Sequence, residues 1–189
     1  MTLPLAVLAG AVFVPMLLEA RRSRANEREL RARGAIEPQH DVYRVMQVAY
    51  PGCFLAMIVE GWLRGPGPAV GVAAGAAVFV AGKALKYWAV AALGQYWTFR
   101  VLVLPGALPV VSGPYRWLRH PNYAGVAGEL AGVALLAHAP LAGLLSIGGF
   151  GALMVARMRV EERAWAAYGS PRPGAAPLMT PASGRPDAR

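Results

Sequence analysis

The chain has 189 residues, of which 56% are hydrophobic and only 15% charged, and its mean hydropathy is +0.40. A soluble domain carries about 25% charge and about 45–50% apolar residues, so this composition argues against a water-soluble enzyme and against a disordered chain. Cys53 is the single cysteine, which excludes a disulfide framework and a cysteine zinc site, and three scattered histidines (His40, His120, His138) give no metal cluster, so no metal is expected. The net charge of +9 would suit nucleic acid, but the positions of the arginines point elsewhere.

A membrane-crossing helix needs about 20 mostly apolar residues. The first such run is 2–18, followed by Glu19 and then Arg21, Arg22 and Arg24. Positive charge follows the apolar stretch instead of preceding it, which predicts a retained helix with its N-terminus outside and not a cleaved signal. Residues 21–36, with Arg and Glu interleaved, read as a separate amphipathic cytoplasmic helix. The second span is 42–63, with Pro51-Gly52 as a kink, and the third is 69–93, where Gly71-xxx-Gly75 suits close helix contact. After a polar stretch, 123–137 and 141–157 read as two short helices joined at His138-Ala-Pro140, giving five crossings in an all-α integral membrane protein. Residues 1–169 form one membrane-embedded domain, and the Pro-rich tail 170–189 is expected to be disordered.

The segments 21–44, 95–122 and 157–189 carry seven, three and six of the 19 Lys and Arg residues. All three fall on one side if the N-terminus is outside, whereas the other side has only Arg64; Lys83 and Lys86 lie within the third span. This bias is the positive-inside pattern, so the basic charge reads as topology and contact with membrane lipids, not nucleic-acid binding. It predicts an N-terminus outside and the basic loops in the cytosol.

Nucleotide signatures fail: Gly75 to Gly82-Lys83 has the wrong spacing for a phosphate loop, Ala84 replaces its Ser/Thr, and no Gly-x-Gly-x-x-Gly follows a strand. Gly148-Gly149-Phe150-Gly151 reads as a helix packing surface. The informative stretch is Gly113-Pro-Tyr115-Arg-Trp-Leu-Arg119-His120-Pro121-Asn122-Tyr123-Ala-Gly125, a cluster of tyrosines, arginines and a histidine entering the fourth helix. Pro121 suits a first helical turn, whose free N–H groups can hold an anion. On residue types alone, an interfacial aromatic and basic belt is the favoured account. A second constellation, Arg157-Met-Arg159-Val-Glu161-Glu162, ends the fifth helix, with Arg157 and Glu161 spaced to share a face. The plain account is an ordinary ion pair at a solvated helix end, although acidic residues at a helix C-terminus oppose its dipole. A hairpin of the fourth and fifth helices would bring this end beside His120 and Tyr123, forming a pocket for a small zwitterion.

Gly113-x-Tyr115-x-x-x-Arg119-His120-Pro121-x-Tyr123-x-Gly125, a helical hairpin and then Arg157-x-x-x-Glu161-Glu162 together resemble the isoprenylcysteine carboxyl methyltransferase family over residues 79–165. Asn26-Glu-Arg-x-Leu30, Arg33-Gly-Ala35, Lys86-Tyr-Trp88 and Leu93-Gly-x-x-Trp97-Thr are similar to the bacterial members that O-methylate long-chain alkylpyrones and alkylresorcinols. The resemblance implies a membrane enzyme that uses S-adenosylmethionine in a cytosol-facing pocket, formed by the loop before helix 4 and the C-terminal end of helix 5, with a lateral entrance for a lipophilic acceptor. It assigns cofactor binding to Tyr115, Arg119, His120, Pro121, Asn122, Tyr123 and Glu161, and to Ala107, Leu108, Pro109 and Val110, where Ala107 replaces the family's usual histidine. Arg157 matches a position associated with the acceptor and the reaction centre. The sequence beyond the Glu pair, Tyr168-Gly-Ser-Pro-Arg-Pro, departs from the family's pattern at the wall that bears on acceptor identity.

On this reading His120 holds the cofactor's carboxylate, Glu161 its ammonium or ribose, and Tyr115 and Tyr123 pack around adenine or the sulfonium. Arg157 orients an anionic acceptor oxygen, and Glu162 is the candidate base for an acceptor that needs one. Glu129, two turns into the fourth helix, either pairs with Lys83 or Lys86 or contacts the acceptor. Glu19 and Glu60 read as interfacial, His40 and His138 as loop residues, Cys53 as a packed small side chain, and Trp62, Trp88, Trp97 and Trp117 as interfacial anchors. The competing readings are methylation of a prenylcysteine carboxylate or a phospholipid amine, and a non-catalytic membrane module that binds lipid or a partner. The sequence sets no oligomeric state.

Overall fold

A computed structural model describes residues 3–39 and 41–169; His40 and the tail 170–189 lie outside the described residues. Five helices account for the fold: α1 Leu3–Ala32, α2 Tyr43–Arg64, α3 Ala69–Leu93, α4 Pro121–Leu136 and α5 Pro140–Tyr168. Two short 3-10 turns, Gly94–Tyr96 and Gly113–Arg116, interrupt the long α3–α4 connection. Among the described residues the only β pairing is one isolated antiparallel bridge, Ile36 to Val103, which ties the chain after α1 to that connection.

The amphipathic segment expected as a separate helix is the second half of α1. No Gly or Pro lies between Met16 and Arg33, and Ala, Arg, Glu and Leu propagate a helix well. The polar half is also tied to the neighbouring loop. Asn26 Nδ2 donates to the carbonyls of Gly94 (3.1 Å) and Trp97 (2.7 Å), and Ser23 Oγ accepts from the Phe99 N–H at 2.7 Å. The rod stops at Gly34, which holds φ +85°, while the N–H of Ala35 reaches back to the Leu30 carbonyl at 2.9 Å.

Three helices among the described residues are long and apolar enough to cross a membrane: Tyr43–Arg64, Ala69–Tyr96 (α3 with its 3-10 extension) and Pro140–Tyr168. The other two crossings expected from sequence have shorter apolar lengths. Helix α4 has 16 residues, about 24 Å of rise against a hydrocarbon core of about 30 Å. In α1 the apolar part ends before Glu19 and the Arg-rich half begins.

Leu8 and Val12 of α1, Phe54 and Met57 of α2, Leu130 and Val133 of α4, and Phe150 and Met154 of α5 form one core. Helices α3 and α4 approach closest, because small residues face one another. A Cβ on Gly82 would meet the Glu129 N and Gly125 O at 2.9 Å, and one on Gly132 would meet the Phe79 N at 2.5 Å. Gly75 belongs to this contact, whereas Gly71 meets only its own turn at Pro68. The glycine run expected to pack does not: positions 148, 149 and 151 have no neighbour within 4 Å, and only Phe150 turns inward. Helix α5 directs the Phe150, Met154 and Arg157 stripe at the bundle, and the glycines fall on its other faces.

Glu60 does more than mark an interface. Its carboxylate accepts the N–H groups of Leu141 (3.3 Å) and Ala142 (2.6 Å), satisfying the first turn of α5. Trp97 is also misplaced by the sequence reading: it is buried, 3% exposed, against Phe99, whereas Trp62, Trp88 and Trp117 are exposed as an interfacial anchor should be. His138 sits in the α4–α5 turn as expected, with φ +53°.

Candidate active site

The α4–α5 hairpin brings the two sequence constellations together. His120 caps α4 and Pro121 opens its first turn, which fixes φ there and removes an N–H that would have no helical partner. Asn122 and Tyr123 follow on that turn, and the far end of α5 returns Arg157, Glu161 and Glu162 opposite them. The Tyr123 hydroxyl donates to Glu161 Oε1 at 2.5 Å and accepts from Arg157 Nε at 2.8 Å. Arg157 Nε also lies 3.3 Å from Glu161 Oε1, the pair expected from the four-residue spacing. His120 contacts both carboxylates, Glu161 at 3.7 Å and Glu162 at 3.4 Å, and Arg119 Nη2 stands 3.2 Å from Glu162 Oε1.

Burial differs sharply around this ring. Arg157 is buried, Glu161 and His120 are about three-quarters covered, and Glu162 and Arg119 lie at the rim. Tyr115 enters from the Gly113–Arg116 turn. Burial, and after it the negative charge of Glu161, pushes the Tyr115 phenol above its ordinary value, so it stays protonated at neutral pH.

Asp41 joins the ring and was missed from sequence. It lies 3.5 Å from Arg157 Nη1 and accepts the N–H of Tyr43 at 3.1 Å and of Val101 at 3.3 Å. An Asp just before an apolar helical run is a capping signal; nothing in the sequence said that it also faces Arg157, 116 residues away. Two arginines (157, 119) face three carboxylates (41, 161, 162), with His120 beside two of the three.

The ring closes one end of a cavity of 1240 Å³, larger than the span of about 300–1,000 Å³ usual for ligand pockets. Tyr115, Arg119, His120, Asn122, Tyr123, Arg157, Glu161 and Glu162 line it, as do Ala107, Leu108, Pro109 and Val110. Pro121 does not; it is buried beneath the turn that it starts. The buried Asn122 Oδ1 has no hydrogen-bond partner, an orphan acceptor on a residue that lines the cavity. Towards the membrane the wall becomes apolar at Met46, Val126 and Phe150, and Phe13, Met16 and Leu17 of α1 border it.

Glu129 is not on the cavity wall. It is 1% exposed and engaged by Lys83 (3.0 Å), by Lys86 (3.4 Å) and by the Tyr50 hydroxyl. Of its two expected roles, the structure shows the pairing. Glu19, expected at an interface, completes the same cluster, 2.6 Å from Lys86 and 3.7 Å from Lys83. Because α1 continues unbroken past residue 20, Glu19 lies in mid-helix and inside the protein.

No solved structure matches this chain. An uncharacterized protein of Bacillus subtilis (strain 168), YpbQ, is 33% identical over 162 residues, 86% of this chain and 96% of that protein. An uncharacterized protein of Haemophilus influenzae is 24% identical over 140 residues, covering 74% of this chain and 81% of that protein. Residues 75–167, the stretch from the α3–α4 contact to the end of the α5 ring, match the isoprenylcysteine carboxyl methyltransferase (ICMT) family. With the ring, the cavity and the apolar helices in place, the chain belongs to this family of membrane methyltransferases.

Proposed function

We propose that the protein transfers a methyl group from S-adenosylmethionine to an oxygen of a lipophilic acceptor, with a long-chain alkylpyrone or alkylresorcinol as the acceptor class. The observation that carries this reading is the ring of Arg157, Tyr123, Glu161 and His120 at the mouth of a cavity that continues between apolar helices.

The residues present fit the cofactor. The ring's three carboxylates against two arginines complement a molecule with a sulfonium, an ammonium and a carboxylate, which is +1 overall. Glu161 is placed to take the ammonium, the orphan Asn122 Oδ1 offers an acceptor for an amino group, and the N-terminal turn of α4 beside His120 suits a carboxylate. The rings of Tyr115 and Tyr123 offer π faces to a cation. Arg119, Pro121 and the Ala107–Val110 segment shape the rest of this end. When bound, S-adenosylmethionine supplies a methyl group on positive sulfur, which an acceptor oxyanion takes in a displacement that cancels both charges.

The protein's share is positioning and exclusion of water. Arg157 is fixed on three sides by Tyr123, Glu161 and Asp41, and its Nη2 makes none of these contacts and is free to hold an acceptor oxygen. The apolar wall of Met46, Val126 and Phe150 keeps water from the opposite charges, whose solvation would oppose their approach. A hydroxypyrone arrives ionised; a resorcinol needs a base, for which Glu162 at the rim is the candidate.

The test is transfer of labelled methyl from S-adenosylmethionine into the organic extract of membranes containing the protein. Pyrone, resorcinol and prenylcysteine acceptors are added separately, and wild type is compared with Glu161→Ala. Label with the pyrone or resorcinol, lost in the variant, is expected. Label only with prenylcysteine would replace the acceptor class, and a folded wild type that does not bind S-adenosylmethionine would end the reading.

A further inference from the structure

The Glu19–Lys83–Lys86–Glu129 cluster is unexplained by methyl transfer at the ring. Two carboxylates and two ammonium groups cancel in charge, and all four are largely buried. A buried ion-pair array contributes no more stability than apolar residues of the same volume, and ionisable side chains within membrane helices commonly mark a binding path.

The cluster is also incompletely satisfied. Both oxygens of Glu19 and Oε1 of Glu129 stand beside ammonium groups without hydrogen-bond geometry to them. Two of its members, Glu19 and Lys86, face the cavity that the ring lines, as does Tyr50. Glu129 and Lys83 stand behind this wall and hold it, Glu129 by bonding both Lys86 and the Tyr50 hydroxyl. Tyr50 is itself clamped between Phe54 and Phe150, at ring separations of 4.9 and 5.0 Å.

Helical rise places the cluster relative to the ring. Tyr50 is seven residues beyond Tyr43 on α2, Phe150 is seven before Arg157 on α5, and Glu129 is six beyond Tyr123 on α4. At 1.5 Å per residue, all three helices put it about 10 Å deeper along their axes. Lys86 leaves α3 beside Gly125, two residues beyond Tyr123 on α4, and its side chain runs from there to Glu129 and Glu19.

We infer that Lys86, Tyr50 and Glu19 form a second polar contact site for the lipid acceptor, reading a hydroxyl or carbonyl on its head group other than the oxygen that is methylated. This rests on the proposed methyl transfer and deepens it, selecting lipids whose head carries two separated polar groups over those that carry one. A hydroxyl donates to a Glu19 oxygen; a carbonyl accepts from Lys86. The hydrocarbon tail follows the apolar border of Phe13, Met16 and Leu17. Glu129 is a positioning residue that holds Lys86 and Tyr50 in register.

The test is binding to the full chain in detergent of pentadecylresorcinol and of pentadecylphenol, which has the same tail and one hydroxyl fewer. Wild type is expected to bind the resorcinol about tenfold tighter, the value of one hydrogen bond to a charged group. Tyr50→Phe, and the charge-balanced double variant Glu19→Gln/Lys86→Gln, bring the ratio to near parity while S-adenosylmethionine affinity is unchanged, which also certifies folding. Equal binding of the two lipids by wild type, or a ratio that survives both variants, overturns the inference. Discrimination without S-adenosylmethionine binding would instead sink the methyl-transfer reading and leave the lipid site standing.

Discussion

The ring at the α4–α5 mouth and the Glu19–Lys86 cluster are built from the same parts: carboxylates, cations and a tyrosine hydroxyl that donates to a glutamate. Their balance and exposure differ. The ring sets three carboxylates against two arginines, its rim residues are 46–68% exposed, and its Arg157 keeps Nη2 clear of these contacts. The cluster sets two carboxylates against two ammonium groups, with side-chain exposures of 1–14%. An open, unbalanced set can accept a charged ligand without breaking its own pairs, whereas a closed, balanced one accepts only a neutral group and otherwise holds helices together.

The largest expected effect comes from unbalancing the closed set. Glu129→Ala leaves two buried ammonium groups against one carboxylate, a change that costs about 3–5 kcal/mol where a buried pair is broken. Thermal unfolding in detergent should show the loss. If the variant melts like wild type, the cluster is wetter than its burial implies and the contrast with the ring disappears.

Next is the geometry of the ring. Arg157→Lys keeps the charge but cannot bond Tyr123, Glu161 and Asp41 at once, because an ammonium lacks the planar fork. Methyl transfer is expected to fall about 100-fold, as misplaced reacting groups do, with a melting temperature close to wild type. The opposite result, full activity with lost stability, would make the ring the structural element of the two.

The cluster needs α3 and α4 to touch, which gives a smaller and more local test. Gly82→Ala inserts a Cβ at 2.9 Å from the backbone of α4 at Glu129 and Gly125. Its expected cost is about 1–3 kcal/mol, typical of overpacking. Gly148→Ala, with nothing within 4 Å, should be neutral or stabilising, since Ala is the better helix former. Equal effects at the two positions would contradict the packing.

The ring was legible in the sequence because its members cluster within two short segments and a short turn lets the hairpin fold them together. The helices were legible from their apolar runs. The closed cluster was not. Glu19 precedes three arginines and so resembles a helix end, and only the uninterrupted propagation of α1 places it in mid-helix. Asp41 is visible as a cap but not as a partner of Arg157, since a contact across 116 residues leaves no local pattern. Trp97 looked like an anchor by composition; the hydrogen bonds of Asn26 and Ser23 to the loop around it draw it inside. Gly148–Gly151 illustrates the converse, a small-residue run that permits close approach without requiring it.

A third charged group, about as exposed as the ring, yields the smallest effect. Glu37, after α1, meets Arg31 and, at 2.6 Å, Arg100 of the α3–α4 loop, next to the Ile36–Val103 bridge. Partial burial pushes its carboxyl up, but the hydrogen bonds from Arg31 and Arg100 outweigh this and hold it below the ordinary value of 4.5. A lowered folded value means that the unfolded chain takes up the proton first. The clamp's contribution is therefore fully present above that ordinary value and is lost as pH falls through the lower folded one. Solvent reaches this carboxylate, so the contribution is at most about 1 kcal/mol. Wild type should melt slightly above Glu37→Gln at neutral pH, and the gap should close as the pH is lowered below 4.5. A gap that persists in acid would mean that the side chain acts through shape and not charge. Glu37 would then belong with packing residues such as Trp97, and not with either of the two charged sets.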